Sequence, residues 1–544
     1  MINSNPWWRE TTIYQIYPRS YMDSNGDGIG DLQGIISRLD YIQDLGFETL
    51  WLSPFFSSPQ QDWGYDISNY LGVAPEYGSL ADVEQLIEEV HLRGMRILFD
   101  LVLNHTSDQH PWFLASRSSK DNPKRDWYIW RDGRGSRPPN NWRSTVGGSA
   151  WHFDPATGQW YYASFLPFQP DLNYHNPQVI QAMLATARHW LDLGVDGFRL
   201  DIFHALFKDR EFRDNPWSAN IFSGDFQSGF FQKYRYNINQ PETIHFAQQL
   251  RKLADSYPEP RLLLGEVYAD DEIIKQYLGS QQEGLSLVFL WDFLNLRSEA
   301  GYLRETLHHF EIQYPEPYSP VLVYGNHDHM RLSARIAGDQ RLAKLLAVFQ
   351  FTARGVPVTY YGEEIGMSEL SLPKDQWKDP VGIRFRWVPG FIQRAMKRNV
   401  TRDGCRSPMQ WSAQENAGFS PPGVETWLPV NQDSRLSNVS SQMDDPDSLL
   451  NVYRRLLQVR RENPALHRGS LDVIPQDPEN PGLLAYSRLF EGQDVLVLMN
   501  FGARQISFQD DSDRSQEIFS TGEWSRDQAG FIRLAAFASL LLKK

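Results

Sequence analysis

The sequence predicts an α/β fold: a (β/α)8 TIM barrel with an inserted subdomain after strand 3 and a C-terminal antiparallel β domain. Three observations carry this prediction. Eight short apolar runs recur before residue 362, helical segments separate them, and no GxGxxG follows the first run. The last point disfavours an open dinucleotide-binding sheet.

The runs are Ile13–Tyr17, Thr49–Leu52, Arg96–Leu103, Asp196–Leu200, Leu262–Glu266, Leu287–Trp291, Val321–Tyr324 and Pro357–Tyr361. Several are hydrophobic almost throughout, as in Ile97-Leu98-Phe99 and Leu101-Val102-Leu103. That pattern suits parallel strands buried on both faces. The intervening segments have helical periodicity. In Leu80–Arg93, residues Leu80, Val83, Leu86, Ile87 and Val90 share one face, with acidic residues opposite. Gln178–Leu193, Ile244–Tyr257 and Gln340–Phe351 repeat the pattern. Eight strands alternating with helices favour a closed barrel over a doubly wound sheet.

One interval breaks the rhythm. Between Asn104 and Pro177 lie Trp112, Trp127, Trp130, Trp142, Trp151 and Trp160 among many Gly, Pro and Asn. A structureless loop of that length is uncommon, so the interval is expected to be an inserted subdomain over the barrel mouth. A second insertion runs from Glu363 to about Ser420. After about Glu462 the pattern changes to short alternating runs, Leu483–Leu489 and Asp494–Phe501, the signature of antiparallel strands. The expected division is a catalytic barrel of residues 1–104 and 172–462, an inserted subdomain of residues 105–171 and a C-terminal β-sandwich of residues 463–544.

Bulk properties narrow the partners. The net charge is −14, with no basic stripe to neutralise phosphates, which excludes a nucleic-acid partner. An acidic balance suits a neutral or cationic small ligand. Aromatic residues make up 13 %, with 18 Trp. They fit either core packing or stacking on the C–H faces of a pyranose, and composition alone does not choose. The single cysteine, Cys405, allows no intrachain disulfide, which fits a reducing compartment. Met1–Glu10 has no basic region followed by an apolar one, so no secretory leader is expected. No apolar run approaches the ~20 residues that span a bilayer. The expectation is a soluble cytoplasmic monomer or homodimer with no membrane partner.

The ends of the runs carry chemistry. Asp100 with Asn104-His105, Arg199 with Asp201, Glu266, and His327-Asp328 all stand there. Any one could be a helix cap, a loop salt bridge or a solvated turn. Together they form an acidic set, and the C-terminal strand ends of a barrel share one mouth. Glycoside hydrolysis needs such a set. One carboxylic acid protonates the leaving oxygen, and a carboxylate captures the oxocarbenium-like centre; in the retaining mechanism the two stand about 5 Å apart. A third carboxylate helps keep the acid protonated, because like charges raise a pKa. Arg199, two residues before Asp201 on a strand, points the same way and would hold Asp201 ionised and oriented.

Four segments resemble the ordered signature regions of glycoside hydrolase family 13, the α-amylase family. They are Asp100-Leu-Val-Leu-Asn104-His105, Gly197-Phe-Arg199-Leu-Asp201, Leu264-Gly-Glu266-Val and Gly325-Asn-His327-Asp328. Gln169-Pro170-Asp171-Leu172-Asn173 resembles a fifth region of the oligo-1,6-glucosidase and α-glucosidase branch. Gly355-Val-Pro357-Val-Thr-Tyr-Tyr-Gly362-Glu-Glu resembles the strand-eight region. The resemblance covers nearly the whole chain. It implies Asp201 as nucleophile, Glu266 as acid/base and Asp328 as transition-state stabiliser. It also implies that His105, Arg199 and His327 bond the reacting glucose. Asp62 and Arg402 are similar to the pair that binds the non-reducing end, and Tyr65 and Phe165 to the aromatics that flank the same glucose. The implied activity is that of a retaining exo-acting α-glucosidase on short oligosaccharides or disaccharides.

Asp23-Ser-Asn25-Gly-Asp27-Gly28-Ile29-Gly-Asp31 places oxygen ligands at alternate positions, as an EF-hand loop does through its ninth position. The twelfth position is Gly34 rather than Glu, so a full EF-hand is not expected. The loop is similar to the metal loop after strand one in the oligo-glucosidase branch. It implies a structural Ca²⁺, or Mg²⁺, held by Asp23, Asn25, Asp27, Ile29 and Asp31.

Two positions depart from the common pattern. Ile202 follows the nucleophile, where the family often has Val in α-1,6-acting enzymes and Ala or Thr in α-1,4-acting ones. His329-Met330 follows Asp328, where Gln-Pro is frequent. Both leave linkage open between α-1,4 and α-1,6. A transglucosylase, sucrose isomerase or trehalose synthase shares the same triad and is the alternative reading. A non-catalytic amylase-like scaffold would have lost the triad and gained a membrane anchor, and neither is seen.

Overall fold

Eight parallel strands close on themselves in chain order. They are β1 (Ile13–Ile16), β2 (Thr49–Leu52), β3 (Arg96–Val102), β4 (Gly197–Asp201), β5 (Leu262–Gly265), β6 (Leu287–Val288), β7 (Val321–Val323) and β8 (Val356–Tyr360). Neighbours pair from β1 through β6, β8 pairs with both β7 and β1, and a parallel bridge from Phe289 to Val321 completes the ring. The computed structural model describes residues 6–221, 227–292, 297–389, 400–510, 512 and 514–544. All eight expected strands are present; seven end within a residue of their expected bounds, and the sixth stops at Val288 rather than Trp291.

The strands are apolar throughout because both faces are covered. Inward residues Ile13, Trp51, Leu98, Leu262, Leu264, Leu287, Val321, Val323, Val356 and Val358 fill the barrel interior. Outward residues such as Leu50, Ile97, Phe99, Phe198 and Leu263 pack against the helices in the larger core. The helix Leu80–Leu92 starts at a capping box between Ser79 and Asp82 and buries Val83, Leu86, Ile87 and Val90. Pro177–Asp192, Pro241–Ala254 and Gln340–Thr352 occupy the other expected helical segments. Leu449–Glu462 packs on Gln340–Thr352 and completes the helical ring.

Gly197 opens β4 at a position no other residue can take. A Cβ there would lie 2.1 Å from the Leu262 carbonyl oxygen of β5. The close approach sets β4 and β5 in the register that places Arg199 opposite Leu264.

The interval after β3 is structured. It holds a helix, Pro111–Ser118, and an antiparallel sheet of Trp130–Arg131, Gln159–Tyr162 and Trp151–Asp154. Trp142 and Trp151 are buried with Tyr162, Ile129 and Ala150 in a separate small core. Most of the interval's tryptophans therefore serve packing. Residues 390–399 of the second insertion lie outside the described residues.

At the C-terminal end a short helix, Pro464–Arg468, precedes the first strand. A five-stranded antiparallel sheet (Ser470–Val473, Leu483–Phe490, Gln493–Asn500, Ser539–Lys543, Gln516–Thr521) then faces a three-stranded one (Ile506–Gln509, Phe531–Leu534, Trp524–Arg526). Leu483, Leu496, Leu498, Ile506, Ile532, Leu534, Leu540 and Leu542 form the core between them. Among the described residues, no helix is long and apolar enough to cross a membrane.

Candidate active site

Arg199 is the hub of the barrel mouth. It lies on β4, two residues before Asp201, so both side chains point inward. The register pairs Arg199 with Asp100 on β3. Its Nη1 donates to Asp100 Oδ1 at 2.8 Å, Asp100 Oδ2 at 2.9 Å and Asp201 Oδ1 at 2.8 Å. Its Nη2 donates to Glu266 Oε2, immediately after β5. One buried guanidinium therefore draws Asp201 and Glu266 to a common point. The Ile202 amide also donates to Glu266 Oε2, at 3.0 Å. Ile202 has φ +33°, a left-handed conformation that is strained for a β-branched residue. Backbone strain of this kind clusters at functional sites.

Three carboxyl groups thus face one cation. Burial pushes Asp201 well above the ordinary carboxylate range; Glu266, Asp100 and Asp328 add to this, and Arg199 opposes it. Burial raises Asp100 to about 6 against the pull of Arg199 and Tyr65. Asp201 and Asp100 share the Arg199 guanidinium, so their titration belongs to the coupled pair rather than to either residue.

Asp328 and His327 lie on the loop after β7. Burial alone would raise Asp328, but His327, Arg402 and Arg406 overcome it and hold the group well below the usual range. Asp328 Oδ1 accepts from Arg406 Nη2 at 2.8 Å and Arg402 Nη1 at 3.3 Å. Burial, helped by Arg406, Arg199 and Arg402, depresses His327 well below its ordinary value, so the ring is neutral. Gln15 Nε2 donates to its Nδ1 at 2.8 Å, which leaves the proton on Nε2, 3.2 Å from Asp328 Oδ2. Tyr65 stacks on the same ring, with centroids 5.2 Å apart and planes 5° apart, and its hydroxyl donates to Asp100 Oδ2 at 3.0 Å.

The pocket is closed at its far end. Arg402 Nη2 donates to Asp62 Oδ1 at 2.5 Å and to Asp379 Oδ1 at 2.7 Å. Gln169 Nε2 holds the other Asp62 oxygen at 2.9 Å. His105 lies beside Gln169 and Phe165, whose ring is 5.9 Å from its own. Burial lowers His105, so it too is neutral. All ten expected catalytic and sugar-binding side chains are therefore brought to one mouth.

Sequence reasoning missed several supporting groups. Asp379, fully buried, takes the Arg402 backbone amide at 2.7 Å and its Nε at 3.0 Å. Buried Lys208 places its ammonium 2.6 Å from Asp171 Oδ2 and 2.8 Å from Asn104 Oδ1, tying the inserted segment to the ends of β3 and β4. Asp379→Ala removes the main anchor of Arg402. We expect at least a tenfold rise in KM and a loss of up to about 3 kcal/mol of folding stability, measured by steady-state kinetics and chemical denaturation. Arg402 keeps Asp62 and Asp328, so the loss falls short of stranding a bare charge.

The Asp23–Asp31 loop stands apart, after β1. Asp23 and Asp31 are almost fully buried, and their hydrogen-bond partners are neutral. Asp23 accepts from the Asn25, Gly26 and Gly28 amides and from Ser420 Oγ. Asp31 accepts from Ser24 and caps the helix Leu32–Ile36 through the Gly34 amide. Two buried carboxylates with neutral partners, beside Asp27, Asn25 and the Ile29 carbonyl, fit an oxygen-seeking cation. Among the described residues no three acidic, His or Cys side chains already stand around one point, so the oxygens would have to draw in.

Comparison with known proteins agrees with this geometry. The family described as "Alpha amylase, catalytic domain" matches residues 15–469. A probable alpha-glucosidase of Rhizobium meliloti (strain 1021) is 42 % identical over 508 residues, covering 91 % of this chain and 89 % of its own. The oligo-1,6-glucosidase of Parageobacillus thermoglucosidasius is 37 % identical over 534 residues, covering 92 % of each. Among solved structures, the alpha-glucosyl transfer enzyme XgtA superposes with a TM-score of 0.87 at 39 % identity over 99 % of both chains. The trehalulose synthase MutB of Pseudomonas mesoacidophila MX-45 gives 0.89 at 33 % identity, again over 99 % of both. A barrel whose strand ends carry this acidic set, and whose sequence matches across most of its length, belongs to the α-amylase family of glycoside hydrolases.

Proposed function

We propose that the protein is a retaining, exo-acting α-glucosidase that releases glucose from the non-reducing end of short oligosaccharides or disaccharides. The observation that carries the reading is the single guanidinium of Arg199 bonded to both Asp201 and Glu266. Arg199 holds Asp201 Oδ1, leaving Oδ2 to attack the anomeric carbon. Arg199 and the Ile202 amide both occupy Glu266 Oε2, which directs the proton to Oε1. Glu266 gives that proton to the glycosidic oxygen as the bond to Asp201 forms. It then takes a proton from water, whose oxygen displaces Asp201 and releases α-glucose. Asp328 is ionised and lies where it can bond sugar hydroxyls and face the developing positive charge. The Asp62–Arg402 pair blocks extension beyond one glucose, which supports exo action.

The resemblance to XgtA and MutB keeps a second reading in view, in which a sugar hydroxyl replaces water. A panel of maltose, isomaltose, sucrose, kojibiose and trehalose, with all products resolved, tests the choice. The α-glucosidase reading predicts free glucose as the dominant product. Isomerised disaccharide from sucrose as the main product would assign the transfer reading instead. A cytoplasmic location, supported by the lone buried Cys405, is part of the proposal.

A structural Ca²⁺ in the Asp23–Asp31 loop is also proposed, with Mg²⁺ as the alternative occupant. The loop bonds the end of the second insertion through Asp23 N to Phe419 O, and the segment just after it through Trp427 N to Gly28 O. A chelator is therefore expected to lower the thermal midpoint by about 1–2 °C, about 1–2 kcal/mol of stability. Added Ca²⁺ should restore it, as calorimetry would show. An unchanged midpoint with no ion in elemental analysis would remove the metal from the account.

A further inference from the structure

A cavity of about 430 Å³ is lined by none of the ten catalytic and sugar-binding residues of the barrel mouth. It opens between residues 138–149 of the insertion and Asn215, Trp217 and Phe230–Gln232, which follow β4 in the chain. Its wall is unusual for a soluble protein. Trp217 is 75 % exposed and Phe231 49 % exposed, and both face this one concavity. Single exposed apolar residues are common, but two large rings lining one hollow mark a binding surface. Phe230 and Phe231 have φ +49° and +65°, consecutive left-handed conformations that bulky residues avoid. The Ile221 and Asn220 carbonyls hold them there through the Phe230 and Phe231 amides.

The polar lining is equally specific. Asn141 and Gln232 are spent on scaffolding. Asn141 exchanges bonds with Asn215, and Gln232 bridges Asn141 O and the Arg143 amide. That leaves the exposed Arg143 guanidinium, for which no ion pair or hydrogen bond is found among the described residues. A hollow with two exposed aromatic faces and an exposed planar donor is suited to a pyranose, whose C–H face stacks while its hydroxyls bond. Size agrees, since pockets for ligands of one or two rings start near 300 Å³.

We propose that this hollow is a second saccharide site, separate from the catalytic pocket, that takes a glucosyl unit of an oligosaccharide on Trp217 and Phe231 with Arg143 donating to its hydroxyls. The ligand class rests on the α-glucosidase reading; the site itself rests on its own lining. Its position gives it a line to the catalytic pocket. Ser144 Oγ donates to Phe165 O at 2.6 Å, and the Thr145 amide to Ser164 O at 2.9 Å. The segment that lines the hollow is therefore bonded to the backbone of Phe165, whose ring flanks His105.

The test is titration calorimetry of maltotriose into full-length Asp201→Ala protein, which binds without turnover. Two classes of site are expected. Adding Trp217→Ala should weaken one class at least tenfold and leave the other unchanged; Arg143→Ala should weaken the same class. Both side chains are exposed, and unchanged thermal midpoints would confirm intact folding. In the otherwise wild-type protein, Trp217→Ala should leave turnover of p-nitrophenyl α-glucoside within twofold. A single class of site, unaltered by both substitutions, overturns the proposal while leaving the catalytic reading untouched. Loss of p-nitrophenyl glucoside turnover in Trp217→Ala also overturns it, because the residue would then serve the catalytic pocket. Loss of the catalytic reading would appear elsewhere, as full activity in Asp201→Ala.

Discussion

Asp201→Ala is expected to lower kcat for p-nitrophenyl α-glucoside and for maltose by at least about 10⁴-fold, with the fold intact. No other carboxylate can replace it. Asp100 is held by Arg199 and Tyr65, and Asp328 by Arg402 and Arg406. The fold should not suffer. The folded pKa of Asp201 is raised by burial, so its contribution to stability is greatest below the unfolded pKa and is lost as pH rises toward the raised value. Wherever Asp201 is ionised it costs stability, so its removal should keep or raise the thermal midpoint. The alanine leaves a gap on the face of the sugar opposite the leaving group. Azide should therefore restore part of the rate and yield β-glucosyl azide, resolved by NMR. Near-normal turnover, or azide product of the α configuration, would contradict the assignment.

Glu266→Gln is expected to show an effect that depends on the leaving group. The amide keeps an oxygen for Arg199 and the Ile202 amide but has no proton to give. Maltose needs its departing alkoxide protonated, so its kcat/KM should fall by about 10³–10⁴-fold. p-Nitrophenolate leaves unaided, so the kcat/KM of its glucoside should fall by no more than about 10²-fold. The second step still needs a base, so that substrate should give a burst equal to the enzyme concentration and then a slow steady state. Equal losses on both substrates, with no burst, would assign Glu266 to binding rather than to proton transfer.

How much of this was legible in the sequence follows from what each part needs. The strands were readable because a closed barrel buries both faces, and Ile97–Leu103 cannot be read as an amphipathic edge. The mouth was readable because Arg199 and Asp201 alternate on one strand and the other acids stand at strand ends. Asp379 was not, because it follows no strand; its only local signal is that it caps the short helix Pro380–Arg384. Gln15 was hidden inside an apolar run, where one polar residue gives no sign that it fixes the His327 tautomer. The buried Lys208 looked like any surface lysine, since burial is a tertiary property. The tryptophans of the insertion were ambiguous in composition and turned out mainly to pack against one another. The left-handed turn at Ile202 depends on the Glu266 carboxylate reaching its amide, and that contact spans 64 positions.

In the proposed reaction Asp201 bonds covalently to the anomeric carbon while Glu266 manages the proton. Intact-mass and peptide analysis after reaction with 5-fluoro-α-glucosyl fluoride tests it most directly, because fluorine slows release of the intermediate. One fluoroglucosyl group per chain is expected, on the peptide containing Asp201, with no adduct in Asp201→Ala. An adduct on any other carboxylate, or an unlabelled protein that turns the reagent over to β-configured sugar, would contradict it.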